Sequence, residues 1–330
     1  MQIGETRLDS HAPSFMYPSG APGGSQAALG WELTVVAVAV VVVISAILIV
    51  ALMRRRPPAE ADHETRSGGG RGHVASGVNW IYTGLAVTAV ILIASFGTTV
   101  ATINASTHPP RTPPITLDIT AHQWWWEVHV SDSVPSHSFT TANEIHIPVG
   151  VPILLHVQSP DVIHSFWVPE LGGKIDVVPG QINESWIRAD KPGIYRGACA
   201  EYCGLEHAHM AITVVAQSPS EYETWANIQR SEAAAPAANT AAALGENVFN
   251  QSCGGCHAIR GSGSLGRVGP DLTHVADRLT IAAGLIDNSS SALSEWIRDP
   301  QAMKPGVLMP SVGLRHDDLV DVVAYLETLH

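Results

Sequence analysis

Basic side chains are scarce in this 330-residue chain: 18 Lys and Arg stand against 30 Asp and Glu, for a formal net charge of −12. They form no stripe, which excludes a nucleic-acid partner, since phosphates need one. Cysteine is scarcer still. Four cysteines in a chain this long do not make a disulfide-stapled scaffold. Charged residues of all kinds reach only 15%, and no nucleophile, general acid or general base is arranged as a catalytic set. What charge there is leans acidic: four basic and eleven acidic residues from Thr116 to Ala216, and six and ten from Ala243 to the end. Such a surface attracts a basic partner.

The apolar content is concentrated in two runs, 31–53 and 79–101. As a helix each spans roughly 33 Å at ~1.5 Å per residue, enough for a bilayer core. The first run is too long and too far from the start for a signal peptide, and it ends on Arg54-Arg55-Arg56, a stop-transfer flank. Arg54, Arg55, Arg56, Arg66 and Arg71 lie between the runs, against Arg7 before them and Arg111 just after. The positive-inside rule therefore places a connector, 54–78, in the cytoplasm and both termini, including the segment 1–30, outside. In a bacterium that outside is the periplasm and the membrane is the cell (inner) membrane.

After a Pro-rich stretch (Pro109, Pro110, Pro113, Pro114), the pattern turns to period two in Ile-Thr-Leu-Asp-Ile-Thr, Glu-Ile-His-Ile-Pro-Val and Val-Pro-Ile-Leu-Leu-His-Val. Short strands parted by turns such as Val-Pro-Gly-Gln predict a β-sandwich or barrel over 102–216. Residues 217–242 read as an Ala/Pro-rich flexible linker, with a short helix around Tyr222 to Ile228. At this length it spans on the order of 28 Å, so the last domain would reach several faces of the β domain. Residues 243–330 read as helical: one helix before Cys253, one over Ala292–Arg298, and one from Asp317 in which Leu319, Val322, Val323, Leu326 and Leu329 share a face.

The four cysteines fall into two patterns. Cys199-Ala-Glu201-Tyr-Cys203-Gly-Leu-Glu-His207-Ala-His-Met210 offers thiolate, imidazole and thioether donors of the kind copper takes. Zinc would favour C-x2-C pairs. A disulfide would leave the His and Met spacing unexplained. At least one ligand must come from elsewhere, and His164 in Asp161-Val-Ile-His164-Ser-Phe-Trp-Val-Pro is the candidate. Cys253-Gly-Gly-Cys256-His257 is the attachment signature of a c-type haem.

The first pattern, C-x-E-x-C-x3-H-x2-M, with H-S-F-W-V-P upstream and a two-helix hairpin before it, resembles the CuA domain of cytochrome c oxidase subunit II. The resemblance implies a cupredoxin-like β-barrel holding two copper ions bridged by Cys199 and Cys203. It implies one histidine, His164 or His207, on each copper, with Met210 and the Glu201 carbonyl as weak ligands. It also implies that the Glu201 carboxylate reaches a magnesium ion at the interface with the catalytic subunit. His122-Gln123-Trp124-Trp125-Trp126 resembles the family's aromatic patch Q-W-Y-W, with Trp125 in place of tyrosine, and implies that electrons arrive through Trp124. Residues 243–330 resemble an all-α class I cytochrome c. The match implies thioether bonds at Cys253 and Cys256, His257 as the proximal ligand, Pro270 as the carbonyl that holds its ring, and Met309 in Met309-Pro310 as the distal ligand, with Met303 as the alternative. His/Met ligation raises a haem's potential.

Together these readings predict a multidomain membrane protein: the electron-transfer subunit of a caa-type haem-copper terminal oxidase of the respiratory chain. Its partners would be the catalytic subunit I, which reduces oxygen to water with proton pumping, other oxidase subunits, and a cytochrome c donor, fused or soluble. Two rivals share the motifs: the CuA subunit of a nitric oxide reductase and a membrane-anchored copper-delivery module. The fused haem domain speaks against delivery. His122, His129, His137, His146 and His156 lack ligand spacing and read as structural.

Overall fold

The computed structural model describes residues 15–54, 71–132 and 134–330, without the side chains of 71–77. The chain divides into a helical unit, Ser25–Ala105, and a second unit made of the described residues up to Gly24 together with Ser106–His330. The first unit is carried by α1 (Ala21–Met53) and α2 (Arg71–Thr107). Over Ala21–Met53 and Val78–Thr107 they are long and apolar enough to cross a bilayer. Thr98 Oγ1 donates to Glu32 Oε1 at 3.2 Å, tying one helix to the other.

Both helices outrun the sequence-based boundaries. The first begins at Ala21 rather than Trp31, because Pro22 sits in its first turn, where a missing N–H costs nothing. The second begins inside the expected connector, at Arg71, and passes residue 101 to stop before Pro109 and Pro110. Residues 1–14, with Arg7, and Arg55, Arg56 and Arg66 of the connector lie outside the described residues.

Ten strands make the β domain: β1 (Ile115–His122), β2 (Trp125–Ser131), β3 (Phe139–Ala142), β4 (Glu144–Pro148), β5 (Ile153–Gln158), β6 (His164–Trp167), β7 (Ile175–Val177), β8 (Asn183–Ile187), β9 (Gly193–Cys199) and β10 (Ala211–Gln217). They form two five-stranded sheets, β3-β2-β1-β5-β8 and β4-β10-β9-β6-β7. The period-two pattern sets their faces. In β1, Leu117, Ile119 and Ala121 are buried, and they pair in register with Val130, Val128 and Trp126 of β2. Trp126 is the largest fully buried side chain of this core, and its ring meets Phe166 edge-on at 5.6 Å.

The expected flexible linker is largely structured. α3 (Pro219–Arg230) starts at a complete capping box, Ser218 with Glu221, and buries Tyr222 and Ala226 in the β-domain core. Beyond it, Ala233 N–H donates to Arg260 O at 2.9 Å, and Arg260 reaches back to Gln229 O at 2.6 Å. The short helix expected around Tyr222 to Ile228 is present and longer, and its apolar face is covered by the β domain.

The last domain consists of α4 (Ala241–Ser252), the short strands β11 (Thr280–Ile281) and β12 (Ile286–Asp287), α5 (Ser290–Arg298), α6 (Pro300–Met303) and α7 (His316–Leu326). Leu319, Val322, Val323, Leu326 and Leu329 are all buried, as the spacing predicts. α4 crosses α7 at Gly245, where a Cβ would fall on the Asp321 carbonyl oxygen. Gly245→Ala is therefore expected to destabilise this domain by about 1–3 kcal/mol through overpacking. Thermal unfolding followed in the haem absorption would show it as a lower midpoint, and an unchanged midpoint would mean that the helices separate freely.

Candidate redox centres

β9 ends on Cys199, and the 200–210 loop returns to β10, so the two strands fix both ends of the copper-type pattern. Cys199 Sγ and Cys203 Sγ lie 3.7 Å apart as separate thiols. His164, fully buried on β6, places Nδ1 3.9 Å from Cys199 Sγ. His207 Nδ1 lies 3.6 Å from Cys203 Sγ, Met210 Sδ 4.0 Å from the same sulfur, and the Glu201 carbonyl 3.2 Å from Cys199 Sγ. The structure thus gathers all six residues of the expected copper set. His164, Cys199 and Cys203 form a compact, buried cluster with ligand atoms within 4.8 Å of one another. Two thiols, two imidazoles and a thioether suit copper.

Electrostatics prepare the sulfurs. The hydrogen bond with Cys203 holds the Cys199 thiol well below its ordinary pKa, with His164 adding to the effect, and the same coupling pushes Cys203 up. His164 is pulled down by burial, but Cys199 and Asp161 outweigh it and the balance is upward.

Sequence reasoning missed Asp161. Its carboxylate can only accept, so the 2.9 Å contact fixes the hydrogen of His164 on Nε2 and leaves the Nδ1 lone pair toward the sulfurs. Burial raises the Asp161 carboxyl, but hydrogen bonds from His164 and from the Val162 and Gln123 amides hold it below the usual range. Its place three residues before His164 was the available signal.

Gln123 Nε2 and Trp124 Nε1 both donate to the Cys203 carbonyl, at 2.7 and 3.1 Å. Gly204, at φ +121°, leaves the space the Trp124 ring occupies. Trp124 and Trp126 are buried, and Trp125 stacks on His122 at 4.4 Å. The other histidines set aside in the sequence have partners elsewhere: His129 with Thr140, His137 with Asp132, His146 with Glu144, and His156 with Asp118. His209 pairs with Glu206.

The second centre is a cleft lined by Cys253, Cys256, His257, Arg278 and Met309, with Trp124 in its wall. Met303 does not line it. His257 Nδ1 donates to Pro270 O at 2.9 Å, which leaves Nε2 as the lone-pair nitrogen. Burial pulls this imidazole down, keeping it neutral, the form that ligates iron. Gly269 packs flat on the ring, where a Cβ would collide with it. Arg278 Nε is buried without a partner in the cleft wall. An acidic group seated in the cleft, such as a haem propionate, would satisfy it, so the residues fit an acid-bearing macrocycle.

The two centres share one unit. The turn between β11 and β12 holds three successive residues at positive φ, Ala282 (54°), Ala283 (61°) and Gly284 (78°). For the two alanines that conformation costs on the order of 1–2 kcal/mol each. All three of their carbonyls accept hydrogen bonds: Ala282 from Lys304 Nζ at 3.2 Å, Ala283 from the Ala211 N–H at 3.0 Å, and Gly284 from Arg196 at 3.1 Å. The Leu279 N–H adds a fourth bond, to Glu144 Oε2 at 2.9 Å.

Comparison with known proteins gives concordant matches. Residues 134–217 match the family described as cytochrome c oxidase subunit II, periplasmic domain, and residues 242–330 match cytochrome c. Over 215 residues, 64% of this chain, the sequence is 40% identical to the cytochrome c oxidase subunit 2 of Alkalihalophilus pseudofirmus, of which it covers 60%. Over 226 residues, 65% of this chain, it is 30% identical to that of Bacillus sp. (strain PS3), of which it covers 62%. The chain thus spans only part of the length of the curated relatives it matches. Among solved structures, the periplasmic domain of subunit II of cytochrome oxidase from Bradyrhizobium japonicum is similar over 36% of this chain and 96% of that one, at 31% identity and a TM-score of 0.34.

Proposed function

We propose, from the match of residues 134–217 to the cytochrome c oxidase subunit II periplasmic domain and of residues 242–330 to cytochrome c, that the chain is the electron-transfer subunit of a caa-type haem-copper oxidase. Haem c and the dicopper centre, when bound, supply one-electron carriage from a cytochrome c donor toward a separate catalytic subunit I that reduces oxygen to water with proton pumping. The observation that carries this reading is Trp124. Its indole N–H sits on the Cys203 carbonyl, while the residue also walls the cleft of His257 and Met309.

The proximity of these side chains supports the residue roles. Cys199, Cys203, His164, His207, Met210 and the Glu201 carbonyl would hold the copper, the two thiolates as its principal donors and Met210 and the Glu201 carbonyl as the weaker ones. Asp161 fixes the ring of His164. Cys253 and Cys256 would attach the haem, and His257 and Met309 would supply its nitrogen and sulfur ligands, with Pro270 orienting the histidine. The Glu201 carboxylate is exposed and 3.6 Å from Lys174; it is the group proposed to reach a magnesium ion at the interface with subunit I. The two apolar helices anchor the chain in the membrane, and the folded domains lie on the periplasmic side of the cell membrane, with the connector 54–78 in the cytoplasm.

Purification of the tagged chain tests the proposal. The expected result is a co-purifying large polytopic haem-copper subunit with oxygen consumption driven by reduced cytochrome c. Turnover of nitric oxide without oxygen would overturn it in favour of a reductase. Trp124→Phe keeps a ring but removes the N–H on Cys203, and is expected to slow copper reduction by on the order of tenfold or more, the size of an effect worth about 1.4 kcal/mol. Stopped-flow reduction read in the copper absorption checks this, and an unchanged rate would remove Trp124 from the route.

A further inference from the structure

Trp124 is 9% exposed; one side packs on the copper domain, and the chain's own haem domain covers another. The Pro305-Gly306 turn lies over the ring: a Cβ on Gly306 would stand 3.7 Å from the indole. Just before that turn, Lys304 is 2% exposed, and its Nζ donates to Trp124 O at 2.8 Å and to Ala282 O at 3.2 Å. One acceptor belongs to each domain.

Lys304 forms no ion pair within 4.0 Å among the described residues, and burial pulls its ammonium down to about 8 although the charges of the buried Glu206 and of Cys203 act to raise it. A buried cation whose direct partners are two backbone carbonyls is an expensive way to fill space, and a methionine would pack there at lower cost. The ammonium is explained by what it holds. The 282–284 turn adds two more cross-domain bonds, to Ala211 and Arg196, and holds its left-handed backbone where both domains constrain it.

We propose that Lys304 is a positioning residue: with the 282–284 turn it locks the haem domain onto the copper domain and closes the Trp124 face to any external donor protein. This rests on the reading of Trp124 as the electron-receiving face. A soluble donor then delivers its electron to the haem domain rather than to the copper domain.

Hydroxyl-radical footprinting of the full-length, detergent-solubilised chain, with haem and copper loaded, tests the lock. Oxidation of Trp124 is read by mass spectrometry against Tyr202, which is 76% exposed. In the wild type Trp124 is expected to stay protected. In Lys304→Met, close in volume but without a donor, its oxidation is expected to rise about tenfold, with faster hydrogen exchange at the Ala211 amide. Arg196→Met, an exposed strand residue, is expected to give a smaller rise and serves where Lys304→Met loses its haem. Protection of Trp124 unchanged in both variants overturns the lock. Haem and copper spectra report separately on the underlying reading: a wild type that fails to show both would sink the function, whereas normal spectra with an unprotected Trp124 would sink only the lock.

Discussion

Cys203→Ser is expected to abolish the near-infrared mixed-valence absorption of a dicopper centre and to lower bound copper by at least half, leaving the haem spectrum intact. Cys203 Sγ joins both ends of the cluster: it meets Cys199 Sγ, His207 Nδ1 and Met210 Sδ within 4.0 Å. A serine hydroxyl fits the same buried space but stays protonated near neutral pH, and it is a hard donor where copper takes a soft one. It also removes the partner that holds the Cys199 thiol down. The haem cleft has its own core, built on Phe249, Ile297, Val322 and Tyr325, which the substitution does not touch. A surviving dicopper band would exclude Cys203 as a bridge. Loss of both spectra together would argue against two independent sites.

Met309→Ala is expected to lower the haem reduction potential by on the order of 0.1 V or more, a modest part of the ~0.8 V range that axial ligands set. A thioether favours ferrous iron, and water or an empty position does not. Met309 lines the cleft with His257, whereas Met303 does not. Gln301 Nε2 holds the loop by donating to Val307 O and Met309 O at 2.8 and 2.9 Å. Redox titration of the purified chain gives the potential directly, with the copper absorption as an internal control. An unchanged potential, with a fall in Met303→Ala instead, would transfer the ligand role to Met303.

Much of each centre was legible because its residues are close in the chain. Cys199 to Met210 occupy one loop between two strands, and Cys253, Cys256 and His257 one helix end, so spacing alone limits where their donors point. His164 was legible for a weaker reason, its segment's likeness to a family motif. Gln123 was not, because its bond to the Cys203 carbonyl spans 80 residues of chain, and Asp161 left only its place three residues before His164, a spacing many loops share. The helix within the linker was legible around Tyr222 to Ile228, but its docking was not, because Tyr222 and Ala226 are buried only by a β domain distant in the chain.

The sequence by itself determined the chemistry available to this protein. Its four cysteines, with His207, Met210 and His257, are committed by local spacing, and two long apolar runs supply its helices. Only the tertiary structure decided how the centres stand to one another. Lys304 meets the Trp124 carbonyl across 180 residues of chain, and the 282–284 turn adopts its strained backbone to meet Ala211 and Arg196. Such contacts follow from burial and hydrogen-bond satisfaction between separately folded domains, which no periodicity or local motif encodes.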